Sequence, residues 1–161
     1  MRTLGVFLAL SILATIGLTY KPIDREDKAD RNIEFKTIDQ SAMSAEEKNY
    51  NVVVKDKESW EKLWNETHSN QIPLPPVPEV DFTTKMVIVA FQGEKPTGGY
   101  SIEVKKIMQT NSKIKVSIDE NSPGSECIVT QALTNPYHFV ELRKLDGDVV
   151  YEEHKVVNHC N

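Results

Sequence analysis

From Lys85 onward the chain reads as strands. "MVIVAFQ" is a near-continuous apolar run, long enough to be a central strand. "YSIEVKKIMQT" sets Ile102 and Val104 against Glu103 and Lys105. After the turn "TNSK", "IKVSID" turns Ile114, Val116 and Ile118 to one side. This pair predicts a hairpin with one dry and one wet face. The turn "NSPGSE" leads into "CIVTQAL", "TNPY", "HFVELRK", "LDGD" and "VVYEEHKVV", read as further strands and turns, with Asp146-Gly147 a hairpin signal.

Upstream the period changes. "NIEFKTI" alternates Ile33 and Phe35 with Glu34 and Lys36, a short half-buried strand. Tyr50 to Lys55 predicts another. Asp56 then suits a helix N-cap, and Trp60, Leu63, Trp64 and Thr67 recur at helical spacing, so one helix is expected near residues 57–68 with its tryptophans on the core. "IPLPPVP", residues 72–78, has four prolines in seven positions, which forbids a helix or a paired central strand and predicts an extended connector. One helix and seven or eight strands make a mainly β domain, α+β at the margin. The architecture expected is an antiparallel β-sandwich or twisted sheet with the helix at one edge.

The chain's 161 residues suffice for one domain, placed at 32–161. It is preceded by a charged linker, 21–31, with nine charged or proline positions in eleven. Residues 1–20 hold an apolar run from Leu4 to Tyr20, which reads as a signal peptide or a membrane tether and predicts an extracytoplasmic location, secreted or held on the outer side. No cysteine follows the run to accept a lipid. The net charge of -5, with basic residues interspersed, argues against a nucleic-acid partner. The only two cysteines, Cys127 and Cys160, suit an exported disulfide, and the spacing leaves two unpaired thiols as the alternative.

The glycine-rich stretch "GEKPTGGY", Gly93 to Tyr100, opens like a phosphate loop, but Gly99 and Tyr100 stand where lysine and a hydroxyl residue are needed. What remains is a stiff turn: Pro96 fixes one φ, while Gly98 and Gly99 can take positive φ. A stiff loop loses little entropy on binding, so Lys95, Pro96, Thr97, Gly98, Gly99 and Tyr100 are the candidate protein-binding loop. Asn135, Pro136 and Tyr137 form a second loop of the same kind, with an exposed-looking aromatic. Catalytic patterns are thin. Cys127 and His138 are the one candidate thiol and imidazole within a single region, and a turn at 134–137 would hold them apart. His154, His159 and Cys160 lack a fourth metal ligand. The expectation is no enzyme, no cofactor and no metal.

"VIVAFQGEKPTGGYSIEVKKI" together with "SPGSECIVTQALTNPYH" resembles the C-terminal domain of the protease-complex subunit PrcB, a family of exported bacterial proteins. The resemblance is strongest from Val87 to Phe139 and extends back to Val52 through "SWEKLW". It implies a non-catalytic accessory or stabilising domain in the complex of a secreted subtilisin-like peptidase. "KPTGGY" is also similar to the "NPTTGY" loop of chagasin-type cysteine-protease inhibitors, keeping Pro96, Thr97, Gly99 and Tyr100, with Asn135 to Tyr137 in the place of an Arg-Pro-Trp motif. That second resemblance implies an immunoglobulin-like sandwich touching a protease through its end loops. A structural envelope domain with no protease partner is the remaining alternative.

Overall fold

The computed structural model describes residues 30–110 and 112–160; the apolar run at 4–20 and most of the 21–31 linker lie outside them. Two four-stranded sheets face each other. The first has the order β1 (Arg31–Asn32), β5 (Ser101–Thr110), β6 (Lys113–Pro123), β8 (Asp148–Asn158), and the second β2 (Phe35–Ser41), β7 (Tyr137–Arg143), β4 (Lys85–Gln92), β3 (Asn49–Val54). The chain forms the expected β-sandwich, with a third layer added by the helix α1 (Lys57–Thr67).

Period two explains the layering. On β4, Met86, Ile88 and Ala90 face the opposite sheet and join Ile102, Val104, Ile114, Val116 and Ile118 in the inter-sheet core. Val87, Val89 and Phe91 point the other way, where Trp60 and Trp64 of α1 meet Tyr137 and Phe139 of β7 in a second core. The run "MVIVAF" is therefore apolar throughout because both of its faces are buried. Each of these side chains other than that of Ala90 contributes about 1.5–3 kcal/mol by leaving water.

Asp56 caps α1 as expected, its Oδ1 accepting from the Ser59 amide at 2.8 Å. The helix, expected at an edge, lies on the outer face of the second sheet, since β4 and β7 offer that face as apolar as the inner one. The proline connector straps it down. Trp60 Nε1 donates to the Pro78 carbonyl at 2.8 Å and Trp64 Nε1 to that of Pro75 at 3.1 Å, so both buried indoles are satisfied by a chain that has few amides of its own to pair.

Four expectations are corrected. "NIEFKTI" is not one strand, because the chain changes sheets at Ile33, which is buried in the core and donates its amide to the Ile107 carbonyl. "CIVTQAL" is not a strand, and its backbone bonds go to loops, with the Gly98 amide on the Thr130 carbonyl and the Cys127 amide on that of Gly124. Asp146-Gly147 does not close a hairpin. β7 already has β2 and β4 on its two edges, so the chain crosses to the other sheet, where the Asp148 amide meets the Ser112 carbonyl. There β8 runs parallel to β6, so the sandwich is not wholly antiparallel.

His138 bolts the two sheets together. The Val104 amide on β5 donates to its Nδ1 at 2.9 Å, which places the ring proton on Nε2, donating to Thr37 Oγ1 on β2 at 2.8 Å. Two residues along the same edge of β5, the Ile102 carbonyl accepts from Gln40 Nε2 at 2.8 Å. β1 pairs with β5 only at Met108 and Gln109, so these side chains cap an edge that no strand covers. Burial pushes the His138 pKa down, more than nearby Glu103 and Asp39 raise it.

Two outcomes follow. A neutral buried His138 adds stability above the ordinary histidine pKa of about 6.5, lost as pH falls because the unfolded chain takes up the proton first. Urea unfolding at stepped pH should show that slope in the wild type and a shallower one in His138→Gln, and equal slopes would remove the assignment. Cys127 and Cys160 form a disulfide across a separation of 33 residues, and Cys160→Ser should lower unfolding free energy by about 4 kcal/mol, the loop-closure entropy of such a bridge, read from denaturant midpoints.

Candidate functional site

Three loops meet at the end of the sandwich where β4 finishes. Lys95 and Thr134 exchange backbone hydrogen bonds of 2.7 and 3.0 Å, and Thr134 Oγ1 donates to the Thr97 carbonyl at 2.8 Å. The Gly98 amide donates to the Thr130 carbonyl at 2.9 Å. The segment 41–48 closes the third side. Ala42 accepts from the Asn135 amide at 2.9 Å, and Ser44 Oγ donates to the Asn135 carbonyl at 2.9 Å.

The glycines make the approach feasible for two different reasons. Gly99 adopts φ +84°, against Pro123 and Val129. Gly98, expected to share that conformation, does not; a β-carbon there would lie 2.3 Å from Thr130 Oγ1, so it is space and not φ that a side chain would violate. The bend is held from behind and open in front: Pro96 and Gly99 are exposed, Lys95, Thr97 and Tyr100 are half-buried, and Gly98 is buried.

Asn135, Pro136 and Tyr137 do share this end, but they face inward. Asn135 is half-buried with Nδ2 donating to the Ser44 carbonyl at 3.1 Å; Pro136 is buried and its carbonyl accepts from the Gln92 amide at 2.9 Å. Tyr137, expected at the surface, is 2 % exposed and packs on Phe139 in the second core. Its hydroxyl donates to Asp39 Oδ2 at 2.6 Å and lies 3.1 Å from His68 Nε2, and burial first, then Asp39, pushes the phenol pKa up. His68 in turn holds the Trp64 carbonyl at 2.7 Å through Nδ1, so this cluster fixes the end of α1 to β2 and β7. Spacing gave no sign of it, since Asp39, His68 and Tyr137 are remote in sequence and each is unremarkable alone.

The surface beside the bend comes from the segment misread as a strand. Cys127 and Cys160 form a disulfide with Cα atoms 5.2 Å apart, which anchors the loop 124–133 to the chain leaving β8. Glu126 reinforces the anchor. Its Oε1 accepts from His159 Nδ1 at 2.8 Å and from the Cys160 amide at 3.2 Å, and hydrogen bonds, its own amide's first and His159's second, hold the carboxyl below its ordinary pKa. A shallow, mainly apolar groove of about 330 Å³ opens between Gly99, Pro123, Ile128, Val129, Asn158 and Cys160. Ile128 at its rim is fully exposed, as in an extended chain, and Leu133 and Met43 are exposed apolar residues of the same three loops.

The remaining candidate chemistry is dispersed. The Cys127 sulfur is committed to the disulfide, and His138 is buried between the sheets. His154 lies on the outer face of the first sheet, 3.1 Å from Ser117 Oγ. Among the described residues no three His, Cys, Asp or Glu side chains gather as metal ligands, and no helix is long and apolar enough to cross a membrane.

Searches of curated proteins and of solved structures found no match to the chain. A family model described as PrcB C-terminal matches residues 86–143. That span runs from β4 to the end of β7 and contains both the Gly93–Tyr100 bend and the loop 124–133 against which it is stapled. The segment that builds this end of the sandwich is thus similar to the PrcB C-terminal family.

Proposed function

We propose that the chain is a non-catalytic, extracytoplasmic accessory domain that docks on another protein through the stapled end, and that the partner is a secreted peptidase. The observation that carries the reading is the bend itself. Backbone bonds of Lys95 with Thr134 and of Gly98 with Thr130, and the Thr134 hydroxyl donating to the Thr97 carbonyl, fix it from behind while Pro96 stays open to solvent. Such a surface is ordered before it meets a partner, so little entropy remains to be lost on binding.

Apolar contacts are available beside it. Ile128 on the groove beside Gly99, together with Leu133 on the same loop, offers side chains that water leaves readily, and exposed apolar residues grouped next to a rigid loop suit a protein interface. The PrcB C-terminal match supports association with a protease complex, and the disulfide together with the apolar run at 4–20 supports an exported chain. A non-catalytic role is favoured because both cysteines are consumed in the bridge, which leaves His138 no thiol to activate. An arrangement like that of chagasin-type inhibitors is disfavoured, since it would need Asn135 to Tyr137 on the surface and Tyr137 is buried.

The test uses the full chain with Ile128→Asp and Leu133→Asp, or with Pro96→Gly and Thr97→Gly. The backbone bonds that hold the bend do not need the replaced side chains. Cross-linking in the native envelope fraction followed by mass spectrometry should recover the partner with the wild type and about tenfold less of it with either variant, a loss of about 1.4 kcal/mol. The Asp variant should melt close to the wild-type temperature. Equal recovery from all three chains removes the docking role and leaves a structural domain.

A further inference from the structure

β8 is an eleven-residue edge strand without proline, and its parallel register with β6 is unbroken from Asp148 to Asn158. The Asp148 amide, the Val156 carbonyl and the Asn158 carbonyl all bond toward β6 or its extension, to the Ser112 carbonyl, Ser122 Oγ and the Gly124 amide. Backbone groups alternate along a strand, so those of Val149, Tyr151, Glu153, Lys155 and Val157 point away from the sheet. Among the described residues, no strand pairs with them. The other edges are less suited to a partner strand: β1 has two residues, β3 has six, and β2 is interrupted by a bulge between Thr37 and Asp39.

We infer that β8 is a self-association edge, pairing antiparallel with β8 of a second copy about a two-fold axis through Glu153 and perpendicular to the sheet. Such an axis keeps each face of the sheet continuous, so outward-pointing residues meet outward-pointing residues and each such pair exchanges two backbone bonds. The sequence "DVVYEEHKVVN" is nearly complementary to its own reverse in this register. Val149 meets Val157, Val150 meets Val156, the Tyr151 ring lies across the Lys155 stem, and the Glu152 carboxylate meets His154. Val150 and Val157 are exposed apolar residues in the monomer, and the pairing covers both. The one like-charge contact is Glu153 with itself, and Asn51 Nδ2 of the same chain already draws that carboxylate aside at 2.6 Å. An extended segment of an unrelated protein would satisfy the edge amides too, but nothing would require it to carry this palindromic order.

The pairing makes a position-specific prediction for the full chain. Two copies of Glu153→Cys would have Cα atoms about 5.5 Å apart, within the range a disulfide needs. Two copies of Val149→Cys would be about 27 Å apart. Under mild oxidation, non-reducing electrophoresis should show a covalent dimer for Glu153→Cys, none for Val149→Cys or Val157→Cys alone, and a dimer again when those two are mixed. Glu153→Pro removes an amide that β6 does not use, so it should keep the fold and weaken dimerisation at least about tenfold by sedimentation equilibrium. A monomeric wild-type chain, a dimer unaffected by Glu153→Pro, or cross-linking independent of position would each overturn the inference.

Discussion

The structure depends on burying both faces of the sheet built around β4 and β7. A sheet with two apolar faces needs two covers, and the chain supplies them from different places: β5, β6 and β8 from later sequence on one side, α1 from earlier sequence on the other. The proline strap follows from the same constraint. Two tryptophans in the second core bring two indole N–H groups that must not be left unpaired, and the strap's free carbonyls receive them.

With the middle sheet fixed, polar groups decide the alignment of the layers. Hydrophobic contact between sheets is non-directional and would tolerate sliding, whereas His138 joins a specific amide on β5 to a specific hydroxyl on β2. The cluster of Asp39, His68 and Tyr137 does the same between α1 and the second sheet. Both devices lie close to the end where the three loops meet. The rigidity of that end is thus inherited from the alignment beneath it, and the bend at Pro96 is the part of the assembly left free to meet something else.

Much of this was legible because local pattern and burial coincide. The α1 helix, its Asp56 cap and the β5–β6 hairpin follow from short-range rules, since amphipathic spacing and turn residues act within a few positions. The errors share a cause. "CIVTQAL" has the composition of a strand, but a bridge to Cys160 and bonds to the Pro96 bend claim its backbone. Asp146-Gly147 has the chemistry of a hairpin, yet a hairpin needs a free edge on β7 and there is none. Tyr137 has the look of a loop-tip aromatic, and only its neighbours Phe139 and His68 show that its ring belongs inside.

The sequence by itself determined the helix and most of the strands, that β4 is a central strand, and that a glycine and proline bend follows it. Those properties depend on residue identity and on neighbours a few positions away. The tertiary structure alone decided which sheet each strand joins, that Cys127 meets Cys160, that Asn135 to Tyr137 turn inward, and that the bend is stapled to loop 124–133. Each of these rests on contacts between residues far apart in the chain, where the energy of an edge, a cavity or an unpaired amide depends on what has already occupied the space beside it.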